Sequence, residues 1–198
     1  ASPGGLAAQR EFHDGFRTPL AQSAGHFPAG IVRDLDLAAH GFRQEAETLP
    51  AIGLRTDGEP VVMRGDTVQG CSEADQEAYV RYTALMDRFA AALAPFWLKT
   101  MPRIGGNSLT ELLTFGHVGL NIRRLGRHDM REFLRIASLP MRDLMDEYFE
   151  DETLKAVLSW DGLIGGKMAP RSPNGAVLAM LYRRAGNPAG AHALAADG

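Results

Sequence analysis

A long apolar stripe in the middle of the chain constrains the fold most strongly. Apolar side chains recur there at alternating spacings of three and four, at Tyr79, Tyr82, Met86, Phe89, Leu93 and Phe96. This period places them on one continuous face of an α-helix. Ser72 predicts the N-cap of the helix, with Asp75 in the first turn, where a carboxylate interacts favourably with the helix dipole. Pro95 predicts its end, because proline has no amide hydrogen to donate.

The end of that helix leads into a stretch without charge. No acidic or basic side chain occurs from Phe89 to Leu98. We expect this stretch to belong to the core, and a patch that dips into a membrane surface is the alternative. Peripheral membrane contact therefore stays open. No apolar run approaches the roughly 18 residues of a membrane-spanning helix.

Turn signals ahead of the long helix indicate strands. Asp14-Gly15 and Asp57-Gly58 tolerate positive φ, so these pairs predict the turns of two hairpins, within residues 9–20 and 42–64. Between them a helix is predicted over residues 28–40. Pro60 fits an edge strand, where its missing amide does no harm.

The chain after the long helix has helical periodicity. Ser108 and Glu111 predict a capping box for a helix that reaches about Leu125. Gly116 and Gly119 inside this helix favour close packing against another backbone. Shorter helices are predicted to follow. A small, strand-rich front with a mostly helical body gives an α+β fold.

Two apolar helices joined by a glycine-containing loop make up residues 153–184. We expect the second helix to begin at Ser172-Pro173, an N-cap followed by a proline in the first helical position. Lys167 and Arg171 are the best polar candidates for a ligand contact, because the start of a helix attracts anionic or carbonyl groups. The capping and the binding interpretations of this loop both stay open.

Composition and motif patterns argue against several classes of function. The chain has 198 residues, 45% of them hydrophobic, and a net charge of −3, which gives no nucleic-acid footprint. Its histidines show no metal-ligand spacing, and Cys71 is the single cysteine, so we expect no metal site. Neither GxSxG nor GxGxxG occurs. The cysteine usage fits a reducing compartment, and we expect the cytoplasm.

Three segments together resemble the phytoene desaturase-like FAD-dependent oxidoreductases, a branch of the amine-oxidase-type flavoproteins. The first is Gly4-Gly5-Leu-Ala with the later run from Glu11 to Phe16. The second runs from Phe27-Pro28 to His40-Gly41. The third and strongest runs from Leu154 through Asp161-Gly-Leu-Ile-Gly165 to Pro170-Arg-Ser-Pro173. The likeness extends over most of the chain.

The resemblance implies a cofactor, a class of substrate and a division into domains. The cofactor is FAD and the substrate a lipophilic small molecule. Residues 1–25 correspond to a remnant of a Rossmann-like FAD-binding domain, 26–170 to a substrate domain, and 171–198 to a segment returning to the FAD-binding domain. The dinucleotide fingerprint expected ahead of the double glycine is missing, so we expect an interior fragment that is inactive alone.

The same resemblance suggests site residues. The cofactor contacts are Gly4, Gly5, Arg171 and Ser172. Phe96, Trp97 and Trp160 are expected to line the substrate site. No catalytic acid or base transfers from the family, because the flavin itself supplies the redox chemistry. A homo-oligomer stays open.

A non-catalytic module is the alternative. The missing dinucleotide fingerprint and the uncharged run before Leu98 also fit a domain that binds an apolar ligand or another protein. Such a module would fold cooperatively and bind no flavin.

Overall fold

The fold is α+β, as predicted, with two small antiparallel sheets and a larger helical body in the part of the chain that the structure describes. The structure is a computed structural model, and it describes residues 9–19, 29–43, 50–97, 99–100, 108–164, 166–173 and 175–186. The strands are β1 (Gln9–His13), β2 (Phe16–Pro19), β3 (Ala51–Gly53), β4 (Val61–Arg64) and β5 (Thr67–Gln69). The helices are α1 (Ala29–Asp34), α2 (Glu73–Leu93), α3 (Leu109–Arg124), α4 (Arg127–Ile136), α5 (Met141–Tyr148), α6 (Glu152–Leu163) and α7 (Ala176–Gly186).

The first hairpin is confirmed. Strands β1 and β2 are antiparallel, and their turn lies at Asp14-Gly15. Gly15 has a φ of 79°, the left-handed backbone that made this pair a turn signal. Its amide donates to the carboxylate of Glu11 at 3.1 Å.

The first predicted helix is shorter than its sequence pattern suggested. Helix α1 ends at Asp34, and residues 35–41 form turns. Asp36 has a φ of 49°, a left-handed conformation that a right-handed α-helix does not contain. The predicted stop, Gly41, lies at the end of these turns instead, with a φ of 88°.

The second sheet has three strands in the order β3-β4-β5. The predicted hairpin of β3 and β4 is confirmed, and β5 is an addition that the sequence did not predict. Consequently β4 is the central strand, and Pro60 stands just before it and not on an edge strand. Val61 and Met63 of β4 alternate into the core with Val68 of β5.

Helix α2 is the centre of the core, and its predicted limits are correct. The Ser72 hydroxyl accepts a hydrogen bond from the Asp75 amide at 3.1 Å. The helix ends at Leu93, and a short 3-10 helix with Pro95 follows (Ala94–Phe96). The apolar stripe is buried through Leu93, and only Phe96, beyond the helix, is half-buried. Of the uncharged run, Phe89 and Leu93 are core, whereas Leu98 lies outside the described residues.

Helices α5 and α7 pack on α2, and α6 completes the core by packing on both of them. Tyr82 of α2 makes edge-on ring contacts with Tyr148 and Phe149 at centroid distances of 5.3 Å. Its hydroxyl donates to the Met180 sulfur at 3.1 Å. Helices α6 and α7 approach closely at Gly162, where an added Cβ would lie 2.6 Å from a backbone oxygen of α7.

Helix α3 packs differently from the other long helices. It lies beside α2 and α4, yet none of its residues is buried. The predicted capping box is wrong, since the Ser108 side chain makes no capping hydrogen bond. The predicted close packing at Gly116 and Gly119 does not occur among the described residues, where an added Cβ at either position meets nothing within 4 Å.

Candidate functional site: an apolar groove beside Trp160

An open groove lies between strand β3 and helix α6. Its volume is about 600 Å³. The lining residues are Ala51, Ile52, Gly53, Leu54, Thr153, Ala156, Val157 and Trp160. Three large side chains at the groove are well exposed: Leu54 at 83%, Trp160 at 53% and Ile52 at 52%. One predicted substrate-lining residue, Trp160, therefore belongs to an apolar groove.

The closeness of the strand to the helix depends on Gly53. An added Cβ at this position would lie 2.7 Å from methyl groups of both Thr153 and Val157. A side chain at this position would push β3 away from α6. The absence of a side chain therefore lets the backbone of β3 form the floor of the groove.

A polar cluster at one end holds the two sides of the groove together. Arg55, just after β3, donates from Nε to the Thr153 hydroxyl at 3.2 Å and forms an ion pair with Asp151. Asp151 also caps α6, since its Oδ1 accepts from the Leu154 amide at 2.9 Å. The geometry between the strand side and the first turn of α6 is thus fixed by side-chain hydrogen bonds.

A buried carboxylate on helix α2 holds this cluster through hydrogen bonds to the backbone. Asp75 of α2 is 3% exposed. Its two oxygens accept from the backbone amides of Glu150 at 2.8 Å and Asp151 at 3.1 Å. The sequence suggested only a favourable helix dipole for Asp75. In the structure it also positions the residue that caps α6.

The thiol of Cys71 lies close enough to this cluster to be affected by it. Burial is the largest cause that raises the pKa of Cys71, and the negative charges of Asp75 and Asp151 raise it further. The positive charge of Arg55 acts in the opposite direction. A thiol with a raised pKa is mostly protonated at neutral pH, so Cys71 is poorly suited to be a nucleophile.

The groove can bind an apolar molecule but has no acid–base chemistry of its own. None of the described residues that line it has an ionisable side chain. The Thr153 hydroxyl accepts a hydrogen bond from Arg55. Such a surface can orient a lipophilic ligand and shield it from water, while reactive groups have to come from elsewhere.

The predicted cofactor contacts lie on the loop before α7 or outside the described residues. Gly4 and Gly5 belong to the latter group. Arg171 is exposed and Ser172 is half-buried. The prediction that Ser172 begins the last helix is wrong, because α7 begins at Ala176.

A local turn explains the difference at Ser172. Its hydroxyl accepts from the Ala169 amide at 3.0 Å, and its own amide donates to the Ala169 carbonyl at 2.8 Å. Serine commonly closes such turns on its own neighbours. Gly175 then adopts a φ of 114° directly before the helix. The chain therefore turns once more between Ser172 and α7.

Among the described residues, one loop has charges that would suit the diphosphate of FAD. Lys167 and Arg171 are exposed cations on one loop, the right charge for a diphosphate. Among the residues with described positions there is no parallel βαβ unit of the kind that binds a dinucleotide. The described residues therefore do not form a dinucleotide-binding site by themselves.

The other two predicted substrate-lining residues do not line this groove. Trp97 packs on Tyr182 of α7 with ring centroids 4.5 Å apart, and the Tyr182 hydroxyl donates to the Trp97 carbonyl at 3.2 Å. An added Cβ on Gly186 would collide with the Trp97 ring. Phe96 is half-buried in the 3-10 helix. Trp97 therefore packs against the end of α7.

The acidic residues between positions 146 and 152 are more organised than a solvated helix end. Asp146 and Glu152 accept from the Lys155 ammonium at 2.7 and 3.0 Å. The hydrogen bond from Lys155 lowers the pKa of Asp146. These residues line a cleft of about 280 Å³ with Arg142. Its two acids and two bases neutralise one another, so it has no charge preference for a ligand.

Two further findings concern only the residues whose placement is described. Among them, no group of three or more histidine, cysteine or acidic side chains is arranged to hold a metal ion. No helix among them is both long and apolar enough to cross a bilayer.

The chain is similar to proteins named for an oxidoreductase domain. Pyridine nucleotide-disulfide oxidoreductase domain-containing protein 2 of Rattus norvegicus is 25% identical over 191 residues, which cover 86% of this chain and 33% of the rat protein. The protein of the same name from Mus musculus is 26% identical over 190 residues, with the same shares covered. No family model and no solved structure matches.

These relatives support an oxidoreductase-type protein, the class that the sequence resemblance suggested. The chain spans about a third of the length of the curated relatives that it matches. The activity of a whole protein of this kind, its cofactor and its substrate therefore belong to the proposal that follows.

Proposed function

We propose that this chain is part of a longer FAD-dependent oxidoreductase, of the phytoene desaturase-like type, that oxidises or desaturates a lipophilic small molecule. The observation that carries the proposal is the similarity over 86% of the chain to proteins named for an oxidoreductase domain. Residues 26–170 form the substrate domain, and the flanking residues 1–25 and 171–198 belong to the FAD-binding domain. The cytoplasm is the proposed location.

The chain contributes the substrate side of the reaction. Ile52, Leu54 and Trp160 offer an apolar surface that removes a lipophilic molecule from water. The cluster of Arg55, Asp75 and Asp151 keeps both sides of that surface in place. Bound FAD supplies the redox chemistry. Arg171 and Ser172, with Gly4 and Gly5, are the proposed cofactor contacts, and Phe96 and Trp97 stay proposed as a second part of the substrate wall.

Binding of a lipophilic polyene tests the substrate side. The chain has two tryptophans, so the substitution Trp97→Phe leaves Trp160 as the sole tryptophan emitter. Retinol absorbs where tryptophan emits, and we expect it to quench Trp160 in a saturable way. Adding Leu54→Lys should weaken the affinity by about tenfold, because it places a charge at the rim of an apolar site. Leu54 is 83% exposed, so the fold should tolerate this change.

A second lysine substitution provides the control for the retinol titration. Leu35→Lys adds the same charge at a site that is 60% exposed and outside the groove. We expect it to leave the retinol affinity unchanged. Equal quenching in the Leu54 and Leu35 variants, or no saturable quenching at all, would contradict the assignment of the groove.

A second function, that of a binding module, has an observation of its own. Helix α3 exposes several large apolar side chains and buries none of its residues. A surface of this kind is typical of proteins that attach to a partner or to a membrane. It can coexist with the oxidoreductase function, since it lies on a different element from the groove.

A further inference from the structure

Helix α3 presents its apolar side chains away from the protein. Its exposed large apolar residues are Leu109 (76%), Leu112 (60%), Leu113 (57%), Phe115 (46%) and Leu120 (45%). A surface helix usually has the opposite arrangement, with its apolar stripe on the core and polar residues outside. Covering these side chains would remove a large apolar area from water.

The exposed leucines share one side of the helix. With about 100° between successive residues, Leu109, Leu112, Leu113 and Leu120 lie within about a quarter of a turn, and we call them the outward stripe. The opposite side faces the protein. There the Asn121 side chain donates to the Ala92 carbonyl of α2 at 3.3 Å, which fixes the rotation of α3.

The charges on α3 are distributed unevenly around the outward stripe. Arg123 and Arg124 are exposed in the last turn, next to Leu120. The single acidic residue of the helix, Glu111, is half-buried on the inner side. The outward side of the helix thus combines aliphatic side chains and cations without an acid. Aliphatic side chains with cations beside them suit the surface of an anionic membrane, where the apolar groups meet the acyl boundary and the cations meet lipid phosphates.

We propose that α3 docks onto an anionic lipid bilayer. The outward stripe enters the boundary between head groups and acyl chains. The aliphatic stems of Arg123 and Arg124 follow it, while their guanidinium groups stay at the lipid phosphates. At 16 residues the helix is too short to span a bilayer, so it lies in the plane of the surface. The docking requires neither flavin nor substrate and is independent of the proposed oxidoreductase function.

Flotation with vesicles tests the docking. The full-length natural polypeptide that contains this chain is mixed with vesicles of phosphatidylcholine and phosphatidylserine, or of phosphatidylcholine alone. We expect binding to the anionic vesicles that weakens with salt, and much weaker binding to the neutral ones. The double variant Leu112→Glu/Leu113→Glu should lower the partition coefficient about a hundredfold. Two leucines that would enter the bilayer are lost, and the anionic lipids repel the two added carboxylates.

A matched double variant separates the stripe from a general effect of charge. Val80→Glu/Leu178→Glu adds the same charge at exposed sites on α2 and α7. We expect this variant to bind anionic vesicles with only a small loss, of about threefold or less from its charge. Circular dichroism of both variants should match the unsubstituted chain, since all four side chains are exposed.

The substitution Gly116→Leu distinguishes a bilayer from a protein partner. An added side chain at Gly116 meets open space, so it leaves the fold intact and extends the outward stripe. Bilayer binding should be kept or strengthened. A partner helix packed closely on this face would be displaced instead.

Three results would overturn the proposal. The first is the absence of binding to the anionic vesicles. The second is equal binding by the stripe variant and the unsubstituted chain. The third is a concentration-dependent dimer that the stripe variant or Gly116→Leu abolishes, which would assign the face to a second copy of the chain.

Discussion

Asp75 shows how one buried carboxylate can connect the core to a binding surface. It lies on the central helix, and its oxygens accept the amides of Glu150 and Asp151. Asp151 in turn caps α6 and pairs with Arg55 beside the groove. Because an amide left without an acceptor would cost free energy, these two hydrogen bonds help to fix the start of α6.

Replacing Asp75 should destabilise the whole domain. In Asp75→Asn, one side-chain oxygen can still accept an amide, but the new NH2 group faces the other amide as a second donor. We expect the free energy of unfolding to fall by about 2 kcal/mol, within the range for a lost hydrogen bond to a charged group. Urea unfolding followed by circular dichroism measures this change.

The exposed residue Glu77 provides the control for that experiment. It stands on the same helix with 69% of its side chain exposed, and Glu77→Gln should change the stability by less than about 0.5 kcal/mol. If Asp75→Asn were as stable as Glu77→Gln, the hydrogen bonds from α2 to the start of α6 would contribute nothing measurable to the free energy of unfolding.

At the scale of elements, glycines mark which helices approach one another. Gly162 lets α6 lie against the first turn of α7, where an added Cβ would be 2.6 Å from the Ala176 carbonyl oxygen. Gly116 of α3 faces open space. Glycine therefore permits close helix packing at position 162, whereas at position 116 it has no described neighbour to accommodate.

Alanine at these two glycines should have effects of opposite sign. Gly162→Ala forces a backbone contact apart and should lower the free energy of unfolding by about 1–3 kcal/mol. Gly116→Ala should raise it by up to about 1 kcal/mol, because alanine has the higher helix propensity and meets no neighbour. Thermal or urea unfolding of both variants measures these changes in the free energy of unfolding. A loss of stability in Gly116→Ala would contradict the orientation of α3.

Elements with a strong local pattern could be predicted from the sequence. Helix α2 follows from its three-and-four spacing and from Ser72 and Pro95. Strand β5 was missed, because three residues after a turn at Gly65 are too short for a visible alternation. The early end of α1 depends on a left-handed backbone at Asp36, which no spacing reveals.

At the scale of the whole molecule, the candidate site depends on contacts between distant parts of the chain. The resemblance named Trp160 as a wall residue, but its partners Ile52 and Leu54 lie in and just after strand β3, about a hundred residues earlier in the chain. The supporting bonds from Arg55 and Asp75 span similar separations. The resemblance named one residue of the groove, and local sequence patterns could not supply the other side.

Trp97 and Trp160, which the resemblance assigns to the same substrate site, occupy different environments in the fold. Both are large aromatic side chains on apolar helical stretches, which suits either a core or a ligand wall. The packing of α7 occupies Trp97 through Tyr182, whereas Trp160 stays exposed beside the edge of the sheet. Tertiary packing therefore separated two residues that have the same local signature.

The flavin content of the full-length natural polypeptide that contains this chain tests the central claim most directly. The purified protein should be yellow, and denaturation should release FAD in about one-to-one proportion, as identified by chromatography and by its absorption spectrum. Arg171→Glu should weaken FAD binding by about tenfold if the loop before α7 meets the cofactor's diphosphate. A full-length, folded protein that binds no flavin, even with excess FAD, would contradict the account.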